Sequence, residues 1–312
     1  MKKIVLFLFI SFSLNLFCQE RLDLDHLATK YTLSSLEGFK KLLSIPNDAN
    51  NKIGIEKNIE WAEEEFGKRG FKVSKIMTTG APLLLAKRDF NSKGKTVLIY
   101  LQMDGQPVDP SKWDQEDPYS PVLKKMNSSE NWEALNWKEI YNYEDDWRIF
   151  ARSSSDAKGP VSMFLAAIDA IDENGITPNF NIKVILDFEE EMGSPNLPNA
   201  VKKNGELLTS DVLIILDGPR HRLNKPTLTF GARGIATIQL TTYGPIVPQH
   251  SGHFGNYVPN PALRLSQILA SMKDGYGKVT IEGYYDGIEI TPDVKKTLDS
   301  TPHNEKELLD LF

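Results

Sequence analysis

Three short runs of almost uninterrupted apolar residues are the strongest constraint on how this chain folds. They occupy residues 96–101 (TVLIYL), 182–186 (IKVIL) and 212–216 (VLIIL). Runs of this kind are typical of strands that are buried on both faces of a parallel sheet. Helical patterns lie between them, including an apolar stripe over residues 160–171 that begins at Pro160. Strands alternating with helices predict an α/β layer fold with a mostly parallel sheet and flanking helices.

The remaining patterns divide the chain into two domains. Residues 22–65 are mostly helical with a break at residues 46–48, residues 71–77 and 83–86 have strand character, and residues 197–208 predict a helix. From residue 227 the character changes, because residues 229–242 and 279–288 indicate strands and residues 261–272 a helix. We predict a catalytic domain over residues 20–226 and a smaller α+β domain over residues 227–312.

The N-terminus has the composition of a targeting segment. Lys2 and Lys3 precede an apolar run over residues 4–17, which is short for a bilayer span and typical of a secretion signal. We predict a signal peptide over residues 1–19, and hence a secreted or periplasmic protein without stable membrane insertion; the alternative is a buried N-terminal helix. Cys18 is the only cysteine. It lies within the predicted signal peptide, so after removal of that segment any metal must be bound by carboxylates, histidines and amides.

The charge balance narrows the range of partners. The formal net charge of the chain is -6, and no basic stripe or tail is present. Nucleic-acid binding requires clustered Lys and Arg. We therefore expect no nucleic-acid partner.

Acidic residues recur where predicted strands end or the next helix begins. Gln102-Met103-Asp104 follows the first apolar run, Glu189–Glu191 follow the second, Asp217 follows the third, and Asp156 precedes the helix at Pro160. Ligands of open α/β sheets bind beyond the carboxyl ends of the strands, so these side chains should converge. Converging carboxylates raise each other's pKa unless a cation offsets them, which predicts a pair of divalent metal ions. The alternative for Glu189–Glu191 is a solvated helix start.

Several segments resemble a known protein family. They are residues 152–160 (RSSSDAKGP), 189–194 (EEEMGS) and 250–252 (HSG), and residues 104–119 resemble its dipeptidase branch in particular. The family is the co-catalytic zinc exopeptidases and amidohydrolases, which include carnosinase-type dipeptidases, carboxypeptidase G, acetylornithine deacetylase and succinyl-diaminopimelate desuccinylase. The resemblance covers residue 33 to the end of the chain.

The resemblance implies a role for each matching residue. Glu190 takes the place of the general base, and His250 that of a lid residue that stabilises the developing oxyanion. The metal ligands are Asp156, which bridges both ions, Glu191, Asp217 and, at best, Gln102. Asp104 takes the place of the carboxylate that orients a metal-binding histidine. The implied cofactor is a pair of zinc ions, with manganese or cobalt as alternatives. The implied substrate is a short peptide or an N-acyl amino acid, and the implied partner a second copy bound through the lid domain.

Two departures from the family pattern leave two interpretations open. Position 102 is a glutamine where the family has a histidine, and an amide oxygen is a poorer zinc ligand than imidazole. The resemblance also implies a further C-terminal stretch that completes the sheet and carries the last histidine ligand. The chain is thus expected to be either a metal-dependent hydrolase or a catalytically impaired or truncated relative that only binds metal or peptide.

Overall fold

The computed structural model describes residues 23–218, 227–232 and 234–300, together with Lys306 and Leu309. The predicted signal peptide at residues 1–19 lies outside the described residues. The chain divides into two compact units between residues 226 and 227, which is also the position of the predicted domain boundary. In the described part of the chain, no helix combines the length and the apolar character that a membrane crossing requires.

The first unit is built on a five-stranded sheet with helices on both faces. Its elements, in chain order, are α1 (Leu24–Leu43), α2 (Lys52–Lys68), β1 (Lys72–Ile76), β2 (Leu83–Arg88), β3 (Thr96–Gln102), β4 (Val122–Met126), β5 (Trp132–Ala134), β6 (Arg148–Phe150), α3 (Lys158–Glu173), β7 (Asn181–Asp187), α4 (Leu197–Lys203), α5 (Gly205–Leu208) and β8 (Val212–Ile215). The predicted single helix over residues 197–208 is therefore two short helices.

The order of strands in the large sheet is β1-β2-β7-β3-β8. Strand β2 is antiparallel to both of its neighbours, whereas β7, β3 and β8 pair in parallel. Four of the five strands thus run in one direction. The predicted α/β fold with a mostly parallel sheet is confirmed.

The hydrophobic core lies mainly on one face of this sheet, against α2 and α3. Phe66, Phe71 and Phe164 form its aromatic centre, with ring centroids 5.4 to 6.1 Å apart. A smaller cluster on the other face packs Leu208 and Ala200 against Leu85 and Ile185. Because both faces are covered, the inner strands carry the continuous apolar runs seen in the sequence.

Strand β8 departs from the prediction that it is buried. Its four apolar side chains, Val212, Leu213, Ile214 and Ile215, are between 41% and 56% exposed. It pairs with β3 on one side only and forms an edge of the sheet as described. The prediction of a strand was right, but the burial was wrong, because an apolar run cannot specify which element covers it.

A second, three-stranded antiparallel sheet follows β3, in a polar stretch where the sequence pattern indicates no regular element. Its strand order is β5-β4-β6. One face packs Leu123 and Ile149 against Leu36 of α1 and Ile140. The flanking segments are 3-10 turns at Pro110–Lys112 and Trp137–Asn142. The strands are only three to five residues long, so their alternation is weak as a sequence signal.

The second unit contains helices α6 (Ser251–Phe254), α7 (Pro261–Ser271) and α8 (Pro292–Ser300). The strands predicted at residues 229–242 and 279–288 are not found in the described residues of this unit, where only an isolated bridge joins Lys273 and Val279. Phe230 and Ile235 are 94% and 83% exposed. The two strand predictions were thus wrong for the part described, because an alternating pattern forms a strand only beside a second backbone edge.

A buried polar contact joins the β1–β2 hairpin to the segment after β7. The carboxylate of Glu189, which is 9% exposed, accepts hydrogen bonds from the Ala81 backbone N–H at 3.0 Å and from Asn196 Nδ2 at 2.7 Å. Thr79 Oγ1 donates to Asn196 Oδ1 at 2.6 Å. Gly80 lies directly over the Glu189 carboxylate, so a Cβ there would overlap both carboxylate oxygens. Glu189 therefore fastens the loop that precedes Glu190.

Replacing Gly80 with alanine should break this contact. The new methyl group would displace a carboxylate that two hydrogen bonds hold in place, and overpacking of this kind costs about 1–3 kcal/mol of unfolding free energy. Gly38→Ala is the matched control, because Gly38 lies in α1 and a Cβ there would meet no atom within 4 Å. Alanine there should stabilise the helix by roughly 0.5–1 kcal/mol. Urea unfolding followed by circular dichroism measures both changes, and an unchanged Gly80→Ala midpoint would contradict the contact.

Candidate metal centre

The parallel pairing of β3 with β7 brings two of the predicted motifs together. Gln102 pairs with Asp187 at the carboxyl ends of the two strands, and the Met103 N–H donates to the Asp187 carbonyl at 2.9 Å. Asp104 is fully buried just beyond, and its Oδ2 accepts a hydrogen bond from the Glu191 N–H at 2.9 Å. Asp104 therefore holds the backbone of the Glu190–Met192 turn.

This contact differs from the role that the resemblance implied for Asp104. The expected partner was a metal-binding histidine, but among the described residues the carboxylate binds the backbone of Glu191 instead. Its Oδ1 is buried without a hydrogen-bond partner in that same part of the chain. Burial raises the pKa of Asp104 to about 6, against the lowering effect of backbone N–H groups.

Gln102 contacts the predicted bridging carboxylate directly. Its side chain is 2% exposed at the end of β3, and Nε2 donates to Asp156 Oδ1 at 3.1 Å. The amide oxygen of Gln102 is buried and has no hydrogen-bond partner in the described residues. The hydrogen bond from this neutral amide thus partly compensates the negative charge of Asp156. An imidazole at the same position could instead have served as a metal ligand.

Glu190 and Glu191 lie on a single 3-10 turn, Glu190–Met192, that ends at Gly193. Gly193 has φ 82°, a left-handed conformation that glycine adopts without the usual Cβ clash. Glu191 Oε2 accepts a hydrogen bond from Gln106 Nε2 at 2.7 Å. The turn projects from the carboxyl end of β7, as the position of the motif predicts.

Glu190 is surrounded by other acids. Burial is the largest cause that raises the pKa of its carboxyl, and together with the charges of Glu191, Asp217, Asp104 and Asp156, in that order, it brings the pKa to about 7. A carboxyl group responds in this way when like charges converge without a compensating cation. The structure therefore brings the predicted acids of the first unit into one electrostatic cluster, which we call the carboxylate cluster: Asp104, Asp156, Glu190, Glu191 and Asp217.

Asp156 and Asp217 also line one cavity. Its volume is about 1500 Å³, and its walls come largely from the apolar faces of α1 and α3. Asp217 follows β8, and its Oδ1 accepts a hydrogen bond from the Gly218 N–H at 2.7 Å. The two carboxylates thus line a cavity large enough for a small peptide.

The negative charge of the carboxylate cluster suits a divalent cation, but the number of ligands that it brings close together is too small. In residues 23–218 and the other described ranges, no three His, Cys, Asp or Glu side chains come close enough to hold one ion. Zinc sites in enzymes use three protein ligands, commonly with imidazole among them. The described residues alone do not complete such a site. Asp156, Glu191 and Asp217 are carboxylates that could contribute to one.

His250 belongs to the second unit and is described there by itself. It is the N-cap of α6, and its Nδ1 accepts a hydrogen bond from the Gly252 N–H at 3.1 Å. Its ring lies 4.7 Å from that of His253. Its part in the site stays a prediction.

Sequence reasoning missed a buried polar scaffold beneath the carboxylate cluster. Asn47 is fully buried, and its Nδ2 donates to the Met103 carbonyl at 2.8 Å and to Ser153 Oγ at 3.0 Å. Lys158, also fully buried, donates from Nζ to the carbonyls of Leu42 at 2.9 Å and Ile45 at 2.5 Å. Burial lowers the pKa of Lys158 to about 7. These side chains tie the end of α1 to the loops that carry Asp104 and Asp156.

A weak signal for this scaffold is present in the sequence. The pattern at residues 46–48 indicates only a helix break, yet Asn47 follows an apolar helix face at a position where a polar side chain has to be either solvated or paired. Lys158 lies inside the motif at residues 152–160, where the resemblance implies no role for it. Burial of either residue depends on segments distant in sequence.

Comparison with known proteins gives consistent matches. Residues 98–293 match the family described as peptidase family M20/M25/M40. The chain is 30% identical over 234 residues to cysteinylglycine-S-conjugate dipeptidase of Corynebacterium striatum, covering 73% of this chain and 46% of that protein. It is 29% identical over 213 residues to human Beta-Ala-His dipeptidase, covering 68% and 38% respectively.

A solved structure agrees with these matches. The M20 family metallo-carboxypeptidase of Sulfolobus solfataricus superposes with a TM-score of 0.64 at 28% identity, covering 89% of this chain and 58% of that one. The chain spans less than half the length of either dipeptidase named above. The resemblance to the carnosinase-type family is thereby confirmed, and the chain belongs to peptidase family M20/M25/M40.

Proposed function

We propose that this chain carries part of a metal-dependent centre that hydrolyses the peptide or amide bond of a short peptide or an N-acyl amino acid. The observation that carries the proposal is the carboxylate cluster, whose members follow β3, β7 and β8 or, in the case of Asp156, precede α3. Family membership supports the reaction class, and two relatives with dipeptidase names support a short substrate.

The proposed metal ligands are Asp156, as the bridging group, together with Glu191, Asp217 and Gln102. Two divalent cations, zinc or alternatively manganese or cobalt, would supply Lewis acidity and a nucleophile of lowered pKa at such a centre. The chain's own contribution is to hold the carboxylates in position. Asp104 does so by fixing the Glu191 backbone, and Glu189 by fastening the start of the same turn.

Glu190 is the proposed general base. It is on the same turn as Glu191 but is not itself a proposed ligand, so it is free to accept a proton from the attacking water and to pass it to the leaving amine. A base works best when its pKa lies near the working pH, and the surroundings of Glu190 shift its pKa in that direction. His250 is the proposed donor to the oxyanion, as a hydrogen-bonding side chain suited to that task.

A second candidate function is that of a relative that binds metal or peptide without turnover. Gln102 favours this alternative, because its amide nitrogen donates a hydrogen bond to Asp156 and the residue offers no imidazole ligand. The shortfall in ligand number among the described residues favours it as well. Metal analysis of the purified protein combined with a dipeptide-library assay separates the two functions.

Two further proposals concern location and assembly. The charged and apolar pattern of residues 1–19 supports export to the periplasm or beyond the cell. The family resemblance of residues 227–312 supports a homodimer formed through that unit. Mass spectrometry of the mature N-terminus and light scattering of the purified protein test them separately.

Replacing Glu190 with glutamine should abolish turnover of a cleaved dipeptide while leaving metal content nearly unchanged. Loss of a positioned base lowers the rate by roughly 100- to 10,000-fold. The amide is nearly isosteric with the carboxylate, and the residue is not a proposed ligand. Glu60→Gln on the exposed side of α2 serves as the control and should change neither quantity. Retained turnover, or an equal loss of metal measured by elemental analysis, would contradict the role of Glu190.

Replacing Gln102 with histidine should tighten metal binding. An imidazole at the end of β3 would face Asp156, and it is a better zinc ligand than an amide. We expect zinc affinity, measured by calorimetry, to rise by roughly tenfold or more, which corresponds to about 1.4 kcal/mol. Gln267→His on exposed helix α7 controls for the mere addition of a histidine. Equal affinities for the wild type and Gln102→His would show that position 102 does not contribute to the site.

A further inference from the structure

A second cavity lies over the three-stranded sheet. Its volume is about 450 Å³, within the range of small-molecule sites. Strands β4, β5 and β6 contribute Lys124, Trp132 and Phe150, and the segment after the Pro110–Lys112 turn contributes Trp113. None of its lining residues belongs to the carboxylate cluster.

Lys124 is the unusual residue of this cavity. It lies in the middle of β4, opposite Ala134 and Arg148, on the face away from the core residue Leu123. It is only 7% exposed. A lysine this deeply buried usually has its ammonium paired with a carboxylate or held by several other acceptors, because an isolated buried ammonium is costly.

Within the described residues, Lys124 has no such carboxylate partner. Its Nζ makes one long hydrogen bond, 3.4 Å to the Asp114 carbonyl, and lies 4.6 Å from the centroid of the Phe150 ring. Asp114 and Glu130 also line the cavity, but in the described part of the chain neither carboxylate forms an ion pair with Lys124. An ammonium group carries three donors. At least one of those donors is therefore left for a group inside the cavity.

The walls beside Lys124 are aromatic. Trp132 and Phe150 meet edge to face with centroids 4.9 Å apart, and Trp132 is 37% exposed. Trp113 also lines the cavity, and the guanidinium of Arg152 lies 5.5 Å from the centroid of its ring. Flat rings around one buried cation suit a ligand that joins a planar apolar body to an anionic group.

We propose that this cavity binds a small aromatic carboxylate. The carboxylate accepts hydrogen bonds from the Lys124 ammonium, and the ring packs against the aromatic lining residues Trp113, Trp132 and Phe150. Burial of the ring is favourable, and the hydrogen bond from the Lys124 ammonium offsets the cost of desolvating the carboxylate, so both parts of the ligand contribute. The proposal does not depend on the proposed hydrolytic function.

The test is calorimetric titration of the purified protein with phenylacetate in the presence of a chelator. Benzyl alcohol keeps the ring without the charge, and acetate keeps the charge without the ring. We expect saturable binding of phenylacetate and at least tenfold weaker binding of either fragment. Lys124→Met should weaken phenylacetate binding by about tenfold or more, because a charge-assisted hydrogen bond is lost.

Lys125→Met is the matched control, since Lys125 is the next residue of β4 and is exposed on the opposite face. It should bind phenylacetate as the wild type does. Trp132→Ala, which removes a half-exposed ring, is a second variant in case Lys124→Met fails to fold, and it should also weaken binding. Absence of saturable binding to the wild type, equal binding of benzyl alcohol, or unchanged affinity in the variants would each overturn the proposal.

Discussion

The parallel pairing of β3 with β7 is the constraint on which the rest of the first unit depends. Residues 96–102 pair with residues 181–187 in an unbroken register, and β8 pairs with the other edge of β3. Both strands therefore end at the same rim of the sheet, and the residues that follow them must share a small space. A slip of one residue would turn every core side chain of a strand to the other face. The buried face thus protects the register and, through it, the position of Asp104 beside Glu191.

The carboxylate cluster is held together against its own repulsion. Burial and the charges of the four other acids raise the pKa of Glu190, so the repulsion within the cluster acts on this carboxyl. Buried hydrogen bonds to the segments that carry the acids keep them in place. Asp104 binds the Glu191 backbone, Glu189 binds the β1–β2 hairpin, and Asn47 binds both Met103 and Ser153. Such contacts hold the charged groups in position before any ligand binds. The free energy that this costs is offset by folding of the core.

Gln102 changes the electrostatics of this arrangement. Its amide hydrogen bond to Asp156 compensates part of one negative charge without adding a formal positive charge. An imidazole ligand at the same place would instead share a cation with Asp156. The choice between the hydrolase and the binding-only interpretation therefore depends in part on whether a cation can bind Asp156 in competition with the hydrogen bond from Gln102.

The sequence by itself determined the α/β class, the strands at the three apolar runs, and the placement of acids at their ends. Periodicity reports which faces of a segment are apolar, and this information is local. Tertiary structure alone decided the exposure of β8, the exposure of Phe230, the hydrogen bonds of Glu189 to the β1–β2 hairpin, and the burial of Asn47, Lys124 and Lys158. Each of these features depends on a segment distant in sequence. A local pattern of residues cannot determine which surface or backbone edge packs against it.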